Sequence, residues 1–204
     1  LRHIFDFHCE SPEAIVKTTQ LAEIMNVSAA STTEMIQRLS ASGMVTHIPY
    51  KGCRLTPDGF QLAAKLRRRE YLIEMLLSEV VGFQGDIALA SSQIAHVIND
   101  DLEATLDRLL GYPEKTANGT KIPAIERTLK PISQGLLLPI SSIPIGSEAE
   151  IELIIANNIE RKTIADAGIK IGGIVSNLDG EICCNSSTLS LSSDLSKRVL
   201  ARLR

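Results

Sequence analysis

The chain has 204 residues, of which 44% are hydrophobic and 3% aromatic, and its formal net charge is −3. This length suits one large or two small domains with ordinary cores. The few aromatic residues argue against a stacking platform for single-stranded nucleic acid. No apolar run is long enough for a membrane span, and the first residues do not resemble a signal peptide. A cytoplasmic protein is therefore expected, with its four cysteines reduced and packed as in other cytosolic proteins. None of the four forms a C-x-x-C pair.

Charge is segregated along the chain. The segment from Met35 to Arg69 holds seven basic residues and one acidic residue, whereas the segment from Glu70 to Glu126 holds three basic and ten acidic residues. A concentrated basic block is typical of nucleic-acid-binding surfaces. We therefore expect any nucleic-acid contact to come from the first third of the chain.

Residues 1–64 are predicted to form a winged helix-turn-helix domain. An amphipathic helix comes first, and a second helix is expected to start with Thr18 or Thr19 as N-cap. Asn26 suits a left-handed turn residue, and Ser28 suits the N-cap of a third helix that ends at Gly43. The following run, MVTHIPYKGCRL, predicts two short strands around a turn.

Residues 65–126 are predicted to be helical. Thr56 and Pro57 begin a helix that could run for about 25 residues. A second helix is expected from about Asp86 to Ile98, and Asn99 is expected to cap a third. An apolar stripe along the last two helices suits a core or a dimer interface equally well; it consists of Ile94, Ile98, Leu102, Leu106 and Leu109.

Residues 127–145 are predicted to be an extended linker, because five of the eight prolines lie between positions 111 and 145. Residues 146–204 show strand patterns and a hairpin signal at Asp179. They predict a small domain like a β-barrel. The expected fold class is thus mainly α with a small β portion.

These patterns together resemble the diphtheria-toxin-repressor and manganese-transport-regulator family. LAEIMNVSAASTTEMIQRLSASGMVTHIPYKGCRLTPDG resembles its winged helix, and LRRREYLIEMLL, IAHVINDDLEATLDRLLGYPE and NGTKIP resemble its dimerisation domain. The last 55 or so residues resemble its SH3-like domain, which is shared with the iron-transport protein FeoA.

The resemblance implies a DNA-binding surface. The helix from Ser28 to Ser42 would be the recognition helix, whose small first residues let the backbone approach the major groove. Glu34 would face base edges, where it could accept a hydrogen bond from a cytosine amine. The other implied contacts, to phosphates or bases, are Ser28, Ser31, Thr33, Arg38, Lys51 and Arg54.

Members of this family bind Fe(II) or Mn(II), which strengthens binding of the dimer to its operator. His96 matches one ligand of the usual site. Ala88, Ser92 and Ala95 stand where the family has other ligands, and alanine cannot coordinate a metal. The usual metal site is therefore expected to lack most of its ligands.

A second family site keeps more of its donors. Glu74 matches a ligand, and Glu70 replaces a ligating histidine on the same helix face. Glu160 falls at a position that reaches this site in some members. An oxygen-rich set of Glu70, Glu74 and Glu160 would suit Mn(II), Mg(II) or Ca(II). Alternatively, Glu70 pairs with Arg67 on a solvated face, and His96 is an ordinary helix histidine.

Three functions remain open from the sequence. The first is a homodimeric, metal-dependent repressor that binds a palindromic DNA operator. The second is a DNA-binding member of the same family whose metal sensing is lost or altered. The third, more distant, is a metal-binding adaptor without DNA. An enzyme is not expected, because the sequence contains no phosphate-binding glycine loop, nucleophile elbow or H-E-x-x-H motif.

Overall fold

The first unit of the structure, Leu1–Arg68, is a winged helix-turn-helix, as predicted. The computed structural model describes residues 1–125, 134–184 and 187–204. In this unit α1 spans Arg2–Glu10, α2 Thr18–Met25, α3 Ala29–Ala41, β1 Val45–Ile48 and β2 Gly52–Leu55, and α4 begins at Pro57 and continues to Met75 in the second unit. Apolar residues from the three helices and the hairpin form one core, which includes Phe5, Leu21, Ile36, Val45 and Cys53.

Most of the predicted helix signals in this unit are confirmed. Asn26 is left-handed with φ 52°, and the Ser28 side chain accepts a hydrogen bond from the Ser31 backbone N–H. The Thr56 hydroxyl likewise accepts from the N–H of Gly59 at 3.0 Å. The prediction of Thr18 or Thr19 as N-cap of α2 was wrong: Lys17 holds that position, because the Gln20 side chain reaches back to the Lys17 N–H at 3.1 Å.

The second unit, Arg69–Arg204, begins with helices. After α4 ends at Met75, the chain continues as a π-helical turn over Leu76–Val81, followed by α5 over Ile87–Ala95 and α6 over Asp100–Leu109. The predicted apolar stripe is divided: Ile98 and Leu106 join a core with Leu72 and Ile73, whereas Ile94 and Leu102 are exposed. One half of the stripe thus packs internally and the other remains on the surface.

The second unit ends in a six-stranded antiparallel sheet. Its strands are β3 Leu137–Pro139, β4 Glu148–Ile154, β5 Ile174–Leu178, β6 Glu181–Cys184, β7 Ser187–Thr188 and β8 Val199–Leu203, in the order β3-β8-β4-β5-β6-β7. A short 3₁₀ turn covers Ile140–Ser142. Two helices lie in the connections between strands: α7, Asn158–Asp166, joins β4 to β5, and α8, Ser193–Lys197, joins β7 to β8. The predicted hairpin at Asp179 is confirmed between β5 and β6.

Two predictions for this region need correction. The domain was expected to resemble a closed barrel, but the described strands form an open series with β3 and β7 at its ends. The linker was expected to extend to residue 145, but Leu137–Pro139 pairs with β8 and is already part of the sheet. Three residues are too few for a recognisable alternating pattern, and residues 127–133 of that linker lie outside the described residues.

Within the described ranges, every helix is too short or too polar to cross a membrane.

Candidate nucleic-acid interface

Helix α3 is packed on one side and open on the other. Thr32 and Ile36 are buried at 1% and 2% exposure. The opposite side of the helix is exposed and forms what we call the outward face, which consists of Ala30, Ser31, Glu34, Gln37, Arg38 and Ala41. Gln37 was not predicted as a site residue, although its spacing of three residues from Glu34 places it on the same face. The helix thus presents small side chains first and long polar side chains later.

The hydroxyl groups at the start of α3 serve the helix itself. The Ser28 Oγ accepts from the Ser31 N–H at 3.1 Å and donates to the Ser31 Oγ at 3.0 Å. The Thr33 hydroxyl donates to the Ala29 carbonyl at 2.8 Å. The Ser28 side chain therefore caps the first turn, the Thr33 hydroxyl is bonded within the helix, and Ser31 is exposed on the outward face.

Glu34 and Arg38 form an ion pair in the middle of the outward face. The Arg38 Nη2 lies 2.5 Å from the Glu34 Oε1, and both side chains are more than 60% exposed (69% and 63%). The i, i+4 spacing places the acid one turn before the base, which is the favourable orientation. The face therefore offers a hydrogen-bond acceptor and a donor held side by side.

The β1–β2 hairpin carries the remaining predicted DNA contacts. Lys51 is exposed at its tip, and Arg54 is half exposed with its Nη1 3.4 Å from the Glu13 Oε2. Gly52 has φ 136°, and a Cβ there would lie 2.1 Å from the Val16 carbonyl oxygen. Only glycine fits this close approach, which ties the start of β2 to the segment before α2.

The basic block does not face outward as a whole. Arg68 and Arg69 are buried at 1% and 8% exposure, and the Arg67 Nε lies 3.5 Å from the Asp6 Oδ1. The Arg69 guanidinium donates to the Glu103 carboxylate at 2.8 Å and to the Ile98 carbonyl at 2.6 Å, and it also bonds Asp100. Charge counting therefore overstated the basic surface, because two of the seven basic residues are buried and Arg67 is partly buried.

The predicted metal-binding residues lie in different environments. Glu70 is buried at 5% exposure, so it does not lie on a solvated face as the alternative expected. Glu74 is half-buried on α4, and His96 is exposed at the C-terminal end of α5. Of the positions where the family has other ligands, Ala95 is buried at 1% exposure.

Glu160 is engaged at the start of α7. Its Oε2 accepts from the Asn157 N–H at 3.0 Å and lies 3.6 Å from the Arg198 Nη1. The same guanidinium atom lies 3.4 Å from the Glu79 Oε2 on the π-helical turn. Sequence reasoning missed Arg198 and Glu79, because no motif connects residues so distant in the chain.

These positions do not fit a metal ion as they stand. In the described part of the chain, no three His, Cys, Asp or Glu side chains are grouped so that they could hold one. The expected set of Glu70, Glu74 and Glu160 is thus not assembled, and Glu160 already has a guanidinium beside it.

Two family models match the chain. The model described as iron dependent repressor, N-terminal DNA binding domain, matches residues 1–53, and the model described as iron dependent repressor, metal binding and dimerisation domain, matches residues 56–124. Together they cover both helical regions.

Three relatives are similar in sequence. The diphtheria toxin repressor of Corynebacterium glutamicum is 24% identical over 98% of this chain and 92% of its own length. The MntR transcriptional regulator of Salmonella typhimurium is 30% identical over 55% of this chain and 68% of its own length. An HTH-type transcriptional regulator of Methanocaldococcus jannaschii is 31% identical over 49% of this chain and 78% of its own length.

Two solved structures share the fold. A manganese-dependent transcriptional repressor in complex with manganese has a TM-score of 0.52 and 21% identity, and covers 100% of this chain and 99% of its own. The manganese regulator SloR has a TM-score of 0.52 and 24% identity, and covers 98% of this chain and 95% of its own.

Proposed function

The chain belongs to the iron-dependent repressor family of metal-dependent, DNA-binding transcriptional repressors, and from that premise we propose that it binds a palindromic DNA operator as a homodimer. The observation that carries the proposal is the outward face of α3. Its first turn is smooth, so the helix can approach the floor of the major groove. Its later turns carry Glu34, Gln37 and Arg38 at the reach of base edges.

We infer the following roles for individual side chains. Glu34 accepts a hydrogen bond from a cytosine amine, and Arg38 offsets its negative charge close to the phosphates. Ser31 and Lys51 contact phosphates, as does Arg54 if Glu13 releases it. Ser28 and Thr33 act indirectly, since their hydroxyls are already hydrogen-bonded within α3 and Ser28 caps its first turn.

The homodimer uses the exposed part of the second unit's helices. Leu89, Ile94, Val97 and Leu102 are exposed apolar residues on α5, α6 and the turn between them, at 57%, 38%, 80% and 44%. They lie within the segment that matches the family's metal binding and dimerisation model. A two-fold dimer built there would present two recognition helices to half-sites one or two helical turns apart.

Two forms of regulation compete. In the first, Mn(II) or Fe(II) activates the repressor through an altered site that draws on Glu70, Glu74, Glu160 and His96. In the second, metal sensing is lost or altered. The second form is favoured by alanine at positions 88 and 95, by the absence of an assembled donor group in the described residues, and by the guanidinium beside Glu160.

The test is a selection of duplexes from a random DNA library by the full chain, after stripping with chelator and with or without added Mn(II) or Fe(II). We expect enrichment of a palindrome, with binding reduced at least tenfold by Arg38→Ala. Arg161→Ala is the matched control, because Arg161 is an exposed arginine on α7 and is not expected to contact DNA.

The result distinguishes the two forms of regulation and tests DNA binding itself. Tenfold tighter binding with metal, lost in Glu74→Ala, supports a metal-dependent repressor. Equal binding with and without metal supports a member that no longer senses metal. If the chain enriches no duplex under any condition, DNA binding itself is wrong.

A further inference from the structure

A single aromatic side chain projects from the tip of the β1–β2 hairpin. Tyr50 has 108% relative exposure, so its ring contacts almost nothing in the protein. Only 3% of the chain is aromatic, and burial of an aromatic side chain is normally a large source of stability. A fully exposed ring at this position therefore contributes little to the fold.

The backbone at Tyr50 also disfavours this residue. The Lys51 N–H donates to the Ile48 carbonyl at 3.1 Å, which closes a four-residue turn with Pro49 and Tyr50 in the middle. Tyr50 has φ 63°, so the turn has the features of a type II turn, with proline second and a left-handed residue third. Glycine or asparagine is favoured at that third position, and a bulky residue there is strained.

The charges around the ring identify the partner. The hairpin segment from Val45 to Leu55 contains His47, Lys51 and Arg54 and no acidic residue. Lys51 is the neighbour of Tyr50 and is exposed with it. An exposed phenol beside an ammonium group suits a polyanion, because phenol hydroxyls and ammonium groups both donate hydrogen bonds to phosphate oxygens.

We propose that Tyr50 is a DNA-contacting residue, at the tip of the wing, that binds the sugar–phosphate backbone beside the groove occupied by α3. Its hydroxyl donates to a phosphate oxygen and its ring packs on the adjacent deoxyribose, while Lys51 neutralises a neighbouring phosphate. This contact adds affinity without reading the sequence. The inference rests on the proposed DNA binding and extends it to a residue that the recognition helix does not include.

The test compares the unfolding midpoint and the DNA affinity of full-length variants, on the duplex enriched by the wild-type chain. Tyr50→Gly removes the ring and accepts the left-handed backbone, so we expect its unfolding midpoint to rise while its affinity falls at least fivefold. Tyr50→Phe keeps the ring and is expected to lose two- to fourfold. A residue with only a structural role would not move stability and affinity in opposite directions.

Salt dependence separates the two neighbouring contacts. Lys51→Gln is expected to reduce the slope of log affinity against log salt by about 2, about 1 for each protomer of the proposed homodimer. Tyr50→Phe should leave that slope unchanged, since it removes no charge. Both variants should enrich the same sequences as the wild-type chain.

Unchanged affinity in Tyr50→Gly would overturn the inference, and so would a lower unfolding midpoint, since the ring would then be a packing group. If Tyr50→Gly instead lost binding to another protein and kept its DNA affinity, the tip would be a protein contact and the inference would be wrong. If the wild-type chain enriches no duplex, the proposed function fails, and this inference fails with it.

Discussion

Cys53 shows how one buried side chain couples this fold to pH. It lies in β2 with 0% exposure, and its backbone pairs with Val16 through two hydrogen bonds of 2.9 and 3.0 Å. Burial raises the pKa of the Cys53 thiol from 9.0 to about 11. Burial penalises the thiolate but not the neutral thiol. Cys53 therefore makes its full contribution to the stability of the winged helix below pH 9, and this contribution is lost as the pH rises from 9 towards about 11.

We predict that iodoacetamide labels Cys9 at pH 8 but labels Cys53 only when the protein unfolds. Cys9 is exposed, whereas Cys53 is both buried and overwhelmingly protonated at that pH. Mass spectrometry after timed labelling gives both rates. The free energy of unfolding should also decrease less between pH 9 and 11 in Cys53→Ala than in the wild-type chain. Equal labelling of the two thiols in the native protein would contradict this account.

At the scale of single elements, α4 and α6 are joined by a buried ion cluster. Arg69 donates hydrogen bonds to the Glu103 and Asp100 carboxylates and to the Ile98 carbonyl. One side chain of α4 thus bonds acceptors in the turn before α6 and in the first turn of α6. Glu103 is 3% exposed. A buried ion pair is costly to assemble but still more costly to break, because the remaining charge has left water.

We predict that Arg69→Met destabilises the second unit by about 3–5 kcal/mol, since it leaves Glu103 buried without this guanidinium. The double variant Arg69→Met, Glu103→Leu should be markedly more stable than Arg69→Met alone. Urea unfolding of the wild-type chain, both single variants and the double variant measures the coupling. Additive effects would show that the pair does not interact in solution.

The same elements show what the sequence could and could not predict. Local signals specified α3 well, because Asn26 and Ser28 act within one turn of the backbone that they shape. The burial of Arg69 could not be predicted, since a run of basic residues has the same sequence pattern whether a side chain faces water or a buried carboxylate such as Glu103. The helices α7 and α8 were missed as separate elements, because nine and five residues carry too little periodicity among strands. Of the predicted site, the outward face of α3 was recoverable from helical spacing, and the carboxylate arrangement was not.

At the scale of the whole molecule, Arg198 connects the helical and sheet parts of the second unit. Its guanidinium lies between Glu79 of the π-helical turn and Glu160 of α7, at 3.4 and 3.6 Å. The adjacent Lys197 packs so closely on Gly111 that a Cβ there would lie 2.8 Å from the Lys197 Cβ. These contacts hold the end of α8 against the helices.

We predict that Arg198→Gln increases hydrogen exchange in both Leu76–Val81 and Asn158–Asp166, with a loss of about 1 kcal/mol because the three side chains are partly exposed. Arg202→Gln is the matched control, since Arg202 pairs with Glu152 across two strands of the sheet. It should alter exchange in neither helical segment. Unchanged exchange in Arg198→Gln would mean that the guanidinium does not hold these parts together.

The π-helical turn at Leu76–Val81 has a consequence for how this chain can change in length. A turn of this kind holds one more residue than an α-helical turn between the same ends. Loss of one residue there would leave an ordinary helix, and the chain would remain continuous and hydrogen-bonded. Glu79 would then be rotated by about 100°, the angle between successive residues of a helix, and would no longer face Arg198. The extra residue thus sets the helical phase on which this ion pair depends, and a deletion that keeps the backbone hydrogen-bonded would still break the pair.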